Sequence, residues 1–135
     1  MFDSISTSGT GLYTYQVWLD AVANNIANAN DIAPANGQAF RAQYVVAQPL
    51  GSGTDGVGTG VAPTQTVHLP GDGEIYHDPS SPLADANGDV RRSDVNLSEQ
   101  MGDLITAERA YQANASAIDR AKEAYEAAIA IGKGI

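Results

Sequence analysis

The sequence contains no cysteine. That one absence removes disulfides, zinc-thiolate sites and a thiol nucleophile, and it suits a reducing or an oxidising compartment equally. Positive charge is also scarce: 7 lysines and arginines stand against 16 acids, the formal charge is −9, and no base precedes Arg41. Nucleic-acid binders need Lys and Arg to neutralise phosphates, and polybasic membrane patches need them beside anionic lipid. Both classes are excluded. No apolar run is long enough to insert in a bilayer. The opening stretch MFDSISTSGTGLYTYQ has neither the basic nor the apolar part of a secretory signal, and no arginine for a transit peptide. The expectation is a chain that, if it leaves the cytoplasm, uses a route that reads no cleaved signal. At 135 residues it is one domain or less, domains commonly having about 100–150.

Catalytic chemistry finds little to work with. The only histidines are His68 and His77. With Asp72, Glu74 or Asp78 they are of zinc-ligand type, but their spacing matches no metal motif, and surface histidines flanking a hairpin explain them. A calcium loop counted from Asp85 has Val90 at position six and Asn96 at twelve, where glycine and glutamate are required. No phosphate-cradling glycine loop opens a helix, and no G-x-S-x-G elbow positions a nucleophile. The expectation is a protein that is not an enzyme and holds neither metal nor cofactor.

What the sequence does have is a long apolar period at each end. Ile5, Leu12, Leu19 and Ile26 recur every seven residues, with Ser8, Tyr15, Val22 and Ala29 three later. This is an a/d heptad seam, interrupted by STSGTG, where each glycine costs a helix about 1 kcal/mol against alanine. It predicts a firm helix from Leu12 to Asn28 that frays toward Met1. At the other end Leu97, Leu104, Tyr111, Ile118 and Tyr125 repeat at sevens, partnered by Gln100, Ala107, Asn114, Ala121 and Ala128. The small residues of that second line permit close approach of another helix. Asn96 followed by Glu99 reads as an N-cap with an acid in the first turn, and GKG at 132–134 as the stop. Tyr111 and Tyr125 are packing residues by their heptad placement. Asn114 either fixes register from a buried position or faces solvent.

Between the helices the texture changes. Residues 42–48 and 61–69 read as strands, 51–60 as a flexible glycine-rich loop, 77–89 as turns ending in Asn-Gly, and DVRRSDV as a last short strand. The predicted fold is therefore mainly α with a small β region. Long terminal helices pair as an antiparallel coiled coil, and a loop-rich β hairpin element lies between them. The boundaries fall at 1–33, 34–95 and 96–135, the two helices forming one domain. Tyr13, Tyr15 and Trp18 lie on more than one side of the first helix, and Met101, Ile105 and Ile129 widen the seam of the second. A two-helix hairpin leaves such a surplus exposed, which implies a partner.

These residues resemble a known family. The stretch NNIANAND (24–31) followed by NGQAFRAQYVVAQ, then YHDPSSPLADANGDVRRSDVNLSEQM and AERAYQANASAI, are similar in kind and order to flagellar basal-body rod proteins, and within them to the short proximal-rod subgroup. The chain departs at Ser81, where the family usually has asparagine, at Asp89, where an aromatic is common, and in its glycine-rich 51–60. The resemblance implies a structural subunit of the tubular drive shaft that transmits motor torque and conducts exported subunits. It would lie in the basal body, in the rod that spans the periplasm, and be exported through the flagellar type III apparatus without a cleaved signal. Implied partners are copies of itself, other rod proteins, the rod-base adaptor and membrane-ring proteins, and the export apparatus. No nucleic acid is expected, and no direct membrane insertion. Candidate subunit-interface residues are Leu12, Tyr15, Trp18, Leu19, Val22, Asn25, Ile26 and Asn28 on the first helix, and Leu104, Tyr111, Asn114, Ile118 and Tyr125 on the second. Asn25 and Asn28 are expected to bond neighbouring backbones in a polymer. An adaptor seating the rod on the membrane ring is the alternative reading, and a small metal-dependent hydrolase using His68 and His77 a remote one.

Overall fold

The computed structural model describes residues 2–51 and 58–134. Its elements in chain order are α1 (Phe2–Ala27), β1 (Ile32–Pro34), β2 (Gln43–Pro49), β3 (Val61–His68), β4 (Glu74–His77), β5 (Asp89–Arg92) and α2 (Leu97–Lys133). Most of the expected glycine-rich loop, residues 52–57, lies outside the described residues.

Helix α1 begins about ten residues earlier than its sequence predicts, running through STSGTG from Phe2. Propensity loses there to tertiary packing. The hydroxyls turn back onto the helix, Thr10 Oγ1 donating to the Thr7 carbonyl at 2.7 Å and Thr14 Oγ1 to that of Thr10 at 2.9 Å. The missing side chain of Gly11 admits α2: a Cβ there would stand 2.7 Å from Asn114 Oδ1. At its other end α1 unwinds through asparagine chemistry. Asn28 Nδ2 donates to the Asn24 carbonyl at 2.8 Å and to Asn24 Oδ1 at 3.0 Å, and the Asp31 N–H bonds the Asn28 carbonyl at 3.0 Å.

Helix α2 starts as its sequence predicts. Asn96 Oδ1 accepts from the Ser98 N–H at 3.0 Å and the Glu99 N–H at 3.2 Å, satisfying two of the free donors of the first turn. Asn96→Ala is expected to lower stability by about 1 kcal/mol, read as a shift of the urea midpoint at unchanged slope.

The helices pack antiparallel, Asn25 meeting Gln100 and Gly11 meeting Asn114. The buried line of α1 is Gly11, Thr14, Ala21, Val22 and Asn25, while Leu12, Leu19 and Ile26 are only half-buried flanks. The contact thus runs about one residue round from the predicted seam. The cause is the β2–β3 hairpin, which packs on α1 as well, so α1 is covered from two sides and its inner line must be small. On α2 the predicted small line is the inner one, with Gln100 and Ala107 buried. The buried apolar residues are Ala21, Val22, Ala29, Ala39, Ala42, Val90 and Ala107, all small or short. Close backbone approach rather than large side chains fills this interior.

The strands form two antiparallel sheets, β2 with β3 and a three-stranded sheet in the order β1-β5-β4. The expected strands near 42–48, 61–69 and 89–95 are present, the last ending at Arg92. β1 and β4 are additional, of 3 and 4 residues. Pro34 sits on β1 at the sheet edge, where its missing N–H breaks no ladder. The hairpin register shifts between Val46 and Ala47, opposite Gln65 and Pro63, a bulge where Pro63 cannot donate. Arg91 ties the three-stranded sheet to its loops, donating to the Ala35 carbonyl from Nε at 3.2 Å and from Nη2 at 3.1 Å, and to the Gly73 carbonyl from Nη1 at 2.9 Å.

α2 has 37 residues and α1 only 26, so at about 1.5 Å per residue one outruns the other. From Lys122 to Gly134 every residue is exposed. This overhang carries Ile129 and Ile131.

Candidate assembly interface

Two polar anchors set the shape of the helix pair and its outer surfaces. The first is an amide cluster. Asn25 Nδ2 donates to the Gln43 carbonyl at 2.9 Å and to Gln100 Oε1 at 2.8 Å, while Asn25 Oδ1 accepts from the Gln43 N–H at 2.7 Å. One side chain therefore pairs with the backbone at the start of β2 and with the first turns of α2. Asn25 is 0% exposed and Gln100 1%. Tyr44 sits beside this cluster. Burial, reinforced by the carboxylates of Glu99, Asp103 and Asp94, pushes its phenol above the usual value, with the Gln100 side chain acting the other way. Among the described residues no buried side-chain nitrogen or oxygen lacks a partner.

The second anchor fixes the hairpin to the middle of α1. Thr10 Oγ1 accepts from the Val61 N–H at 3.1 Å, and the Thr14 hydroxyl approaches the Val61 carbonyl at 3.3 Å. Gly60 precedes them with φ +133°, and a Cβ on it would overlap the Thr10 side chain. Between helix and hairpin a groove of about 160 Å³ opens, lined by Thr14, Tyr15, Trp18, Val45, Ala47 and Val61. The rings of Tyr15 and Trp18 stack along it, centroids 5.8 Å apart.

The structure separates the predicted interface residues into three groups. Val22 and Asn25 are closed inside the chain; Leu12, Tyr15, Trp18, Leu19, Ile26, Asn28, Leu104, Asn114 and Ile118 are half-buried; Tyr111 and Tyr125 are exposed. Asn25 makes three hydrogen bonds within the chain, to the Gln43 backbone and to Gln100. Asn28 serves the end of α1. Asn114 is half-buried against Gly11, and its Nδ2 donates to the Ala110 carbonyl of its own helix at 2.8 Å. The Thr10, Thr14, Gly60 and Gln43 contacts escape a sequence reading. Only the oddity of STSGTG inside a helical period hints at them.

The outward face of α2 carries Leu97, Met101 and Ile105, each nearly half exposed and spaced by four, so they form one continuous ridge. The histidines stand apart from it. His68 Nδ1 lies 3.3 Å from the Arg41 carbonyl, and His77 Nδ1 pairs with Asp89 Oδ1 at 2.8 Å. Among the described residues no group of three His, Asp or Glu side chains converges as a metal site would require. Asp89, a departure from the family pattern, is thus the partner of His77.

The turn before β5 is built on one carboxylate. Asp85 Oδ1 accepts from the Asp89 N–H at 3.0 Å and the Asn87 N–H at 2.8 Å, and Gly88 closes the turn at φ +80°. These bonds hold Asp85 below the ordinary aspartate range, Asp89 contributing first and Asn87 next. Asp78 is lowered too, chiefly by the Ser80 hydroxyl at 2.6 Å. A lowered folded-state pKa means the bonds stabilise the turn above the unfolded value of about 3.9, and that this support is lost as pH falls through the lower folded value. The Asn87 and Asp89 amides should therefore stay protected from exchange at about pH 5 to 7 and open only as pH falls through the lowered folded-state value of Asp85. In Asp85→Asn the dependence should flatten, which NMR exchange rates would record.

Comparison with known proteins places this architecture. The family model described as the flagellar basal body rod FlgEFG protein C-terminal matches residues 86–131, which is β5 with most of α2. Over nearly the whole chain the sequence is similar to proteins named flagellar basal-body rod protein FlgC. The one from Borreliella burgdorferi is 30% identical, covering 99% of both chains. That from Yersinia enterocolitica is 32% identical, covering 93% of both, and that from Bacillus subtilis 29% identical, covering 98% of both.

Proposed function

The chain belongs to the FlgC family of flagellar basal-body rod proteins and is a structural subunit of the rod, and from that premise we propose how it assembles. The helix pair is the packing unit of the tube wall, a coiled-coil element presenting its outer ridges to neighbours. Those neighbours are other copies of the chain and other rod proteins, with the rod-base adaptor and membrane-ring proteins at the proximal end. The chain reaches the periplasmic span through the flagellar export apparatus without a cleaved signal. Once assembled it transmits motor torque and encloses the channel through which later subunits pass.

The observation that carries this reading is the ridge Leu97, Met101 and Ile105, with 44%, 48% and 47% exposure on one face of α2. Such a continuous apolar strip on a chain of this size calls for a protein neighbour. Because these side chains are already exposed, charge placed on them leaves the fold alone and acts on assembly. In a strain deleted for its own gene, the wild-type chain should restore swimming. Met101→Glu with Ile105→Glu should abolish it, although the protein is made and its thermal unfolding is unchanged. Full swimming by the double variant would contradict the assignment of this face to subunit contact.

A further inference from the structure

The groove between α1 and the hairpin has the size and lining of a receptor for one side chain. Apolar cavities of about 150 Å³ accept a benzene-sized group, and this groove offers about 160 Å³ with no charged residue in its lining. The chain's own overhang supplies a matching knob. Ile131 is 71% exposed, the most exposed of the large hydrophobic residues among the described ones. It lies in Ala127–Gly132, an uncharged stretch that follows the last acid, Glu126, and precedes Lys133. In a molecule of charge −9 this uncharged stretch brings no acidic side chain to the approach of another copy.

Ile131 cannot reach the groove of its own chain. The register that joins Asn25 to Gln100 and Gly11 to Asn114 sets Tyr15 and Trp18 beside α2 near residues 107–110. Some twenty residues of rigid helix, about 30 Å, separate that level from Ile131. Knob and groove are different surfaces of one molecule, held apart along the helix axis. A contact between them is heterologous and does not close, so each subunit still offers a free groove and a free knob after binding. Resting on the rod-subunit reading, we propose that the groove of one copy receives the Ile131 end of α2 from a second copy. The contact adds subunits head to tail with an axial step of the order of 30 Å.

Trp18 is the sole tryptophan and lines the groove, so its emission reports occupancy directly. The test uses the full-length chain over a concentration series, with sedimentation velocity and Trp18 emission recorded on the same samples. The wild type should associate as concentration rises, with emission moving to the blue. Ile131→Asp removes the knob and Ala47→Arg blocks the groove. Both positions are exposed, so circular dichroism and thermal unfolding should match the wild type. Each variant alone should associate at least about tenfold more weakly. Their equimolar mixture should form a heterodimer and stop there, since Ile131→Asp retains a groove and Ala47→Arg retains a knob. Wild-type association in either variant, an inert mixture, or a wild type that stays monomeric with unshifted emission would each overturn the proposal. The swimming assay separates the two readings: a wild type that restores motility while failing these tests leaves the rod assignment standing and removes only the knob-and-groove contact.

Discussion

Asn25→Ala is expected to destabilise the isolated chain by about 3 kcal/mol, the largest effect of any single side-chain truncation proposed for this molecule. The substitution removes little apolar area, so the cost does not come from lost hydrophobic burial. It comes from the groups left behind. The Gln43 N–H, the Gln43 carbonyl and Gln100 Oε1 lose their partner together, and a buried polar group without one costs about 1–3 kcal/mol. Gln43 is half-buried, so water recovers part of its share, which keeps the total near the lower end of a simple sum. Gln100→Leu alone should also destabilise, because Asn25 then loses an acceptor. The double variant should cost less than the two single ones added together, since each single change strands a group that the other would remove. Urea denaturation of the four proteins gives that coupling. Additive losses would mean that the two amides do not act as one cluster.

Gly60→Ala should cost about 2–6 kcal/mol, from two separate sources. At φ +133° the backbone occupies a region that an L side chain rarely adopts, and the new Cβ would overlap Thr10. Strained backbone of this sort costs about 1–3 kcal/mol, and overpacking adds a similar amount. Thr10 cannot simply turn aside, because its hydroxyl donates to the Thr7 carbonyl and accepts from the Val61 N–H. The double variant Thr10→Ala/Gly60→Ala separates the terms when read against Thr10→Ala alone, which already carries the loss of the hydroxyl bonds. Gly60→Ala is expected to lower the thermal midpoint less in the Thr10→Ala background than in the wild type. No loss there would assign the whole effect to the collision, and an equal loss would assign it to the backbone.

Both sites lie where the sequence is least informative. The long helices are legible because a seven-residue apolar period survives any small rotation of the contact face, and Asn96 announces the start of α2 by a mechanism that needs no tertiary partner. The line of closest approach on α1 is not legible. Periodicity ranks positions by hydrophobicity and so selects Leu12, Leu19 and Ile26, whereas a helix clasped from two sides puts its smallest residues innermost. The same physics bears on STSGTG at the start of α1: glycine lowers helix propensity there, and Gly11 also permits the approach of α2. Asn25 looks from sequence like an amide awaiting a neighbour, because nothing local identifies Gln43, 18 residues on, or Gln100, 75 residues on, as its partners. The short strands β1 and β4, of 3 and 4 residues, fall below or at the shortest length over which alternation can be recognised.

The molecule has a part that holds itself together and a part left for other chains to complete. The α1–α2 contact is secured by the Asn25 cluster and the Gly11–Asn114 approach. The overhang of α2 is exposed from Lys122 to Gly134, and a lone helical segment of that length is marginal in water. Peptide-resolved amide hydrogen exchange on the isolated chain at low concentration tests this division most directly. Strong protection is expected across residues 14–26 and 98–115, with rapid exchange across 122–133. Equal protection along the whole of α2, or rapid exchange in all three segments, would contradict it.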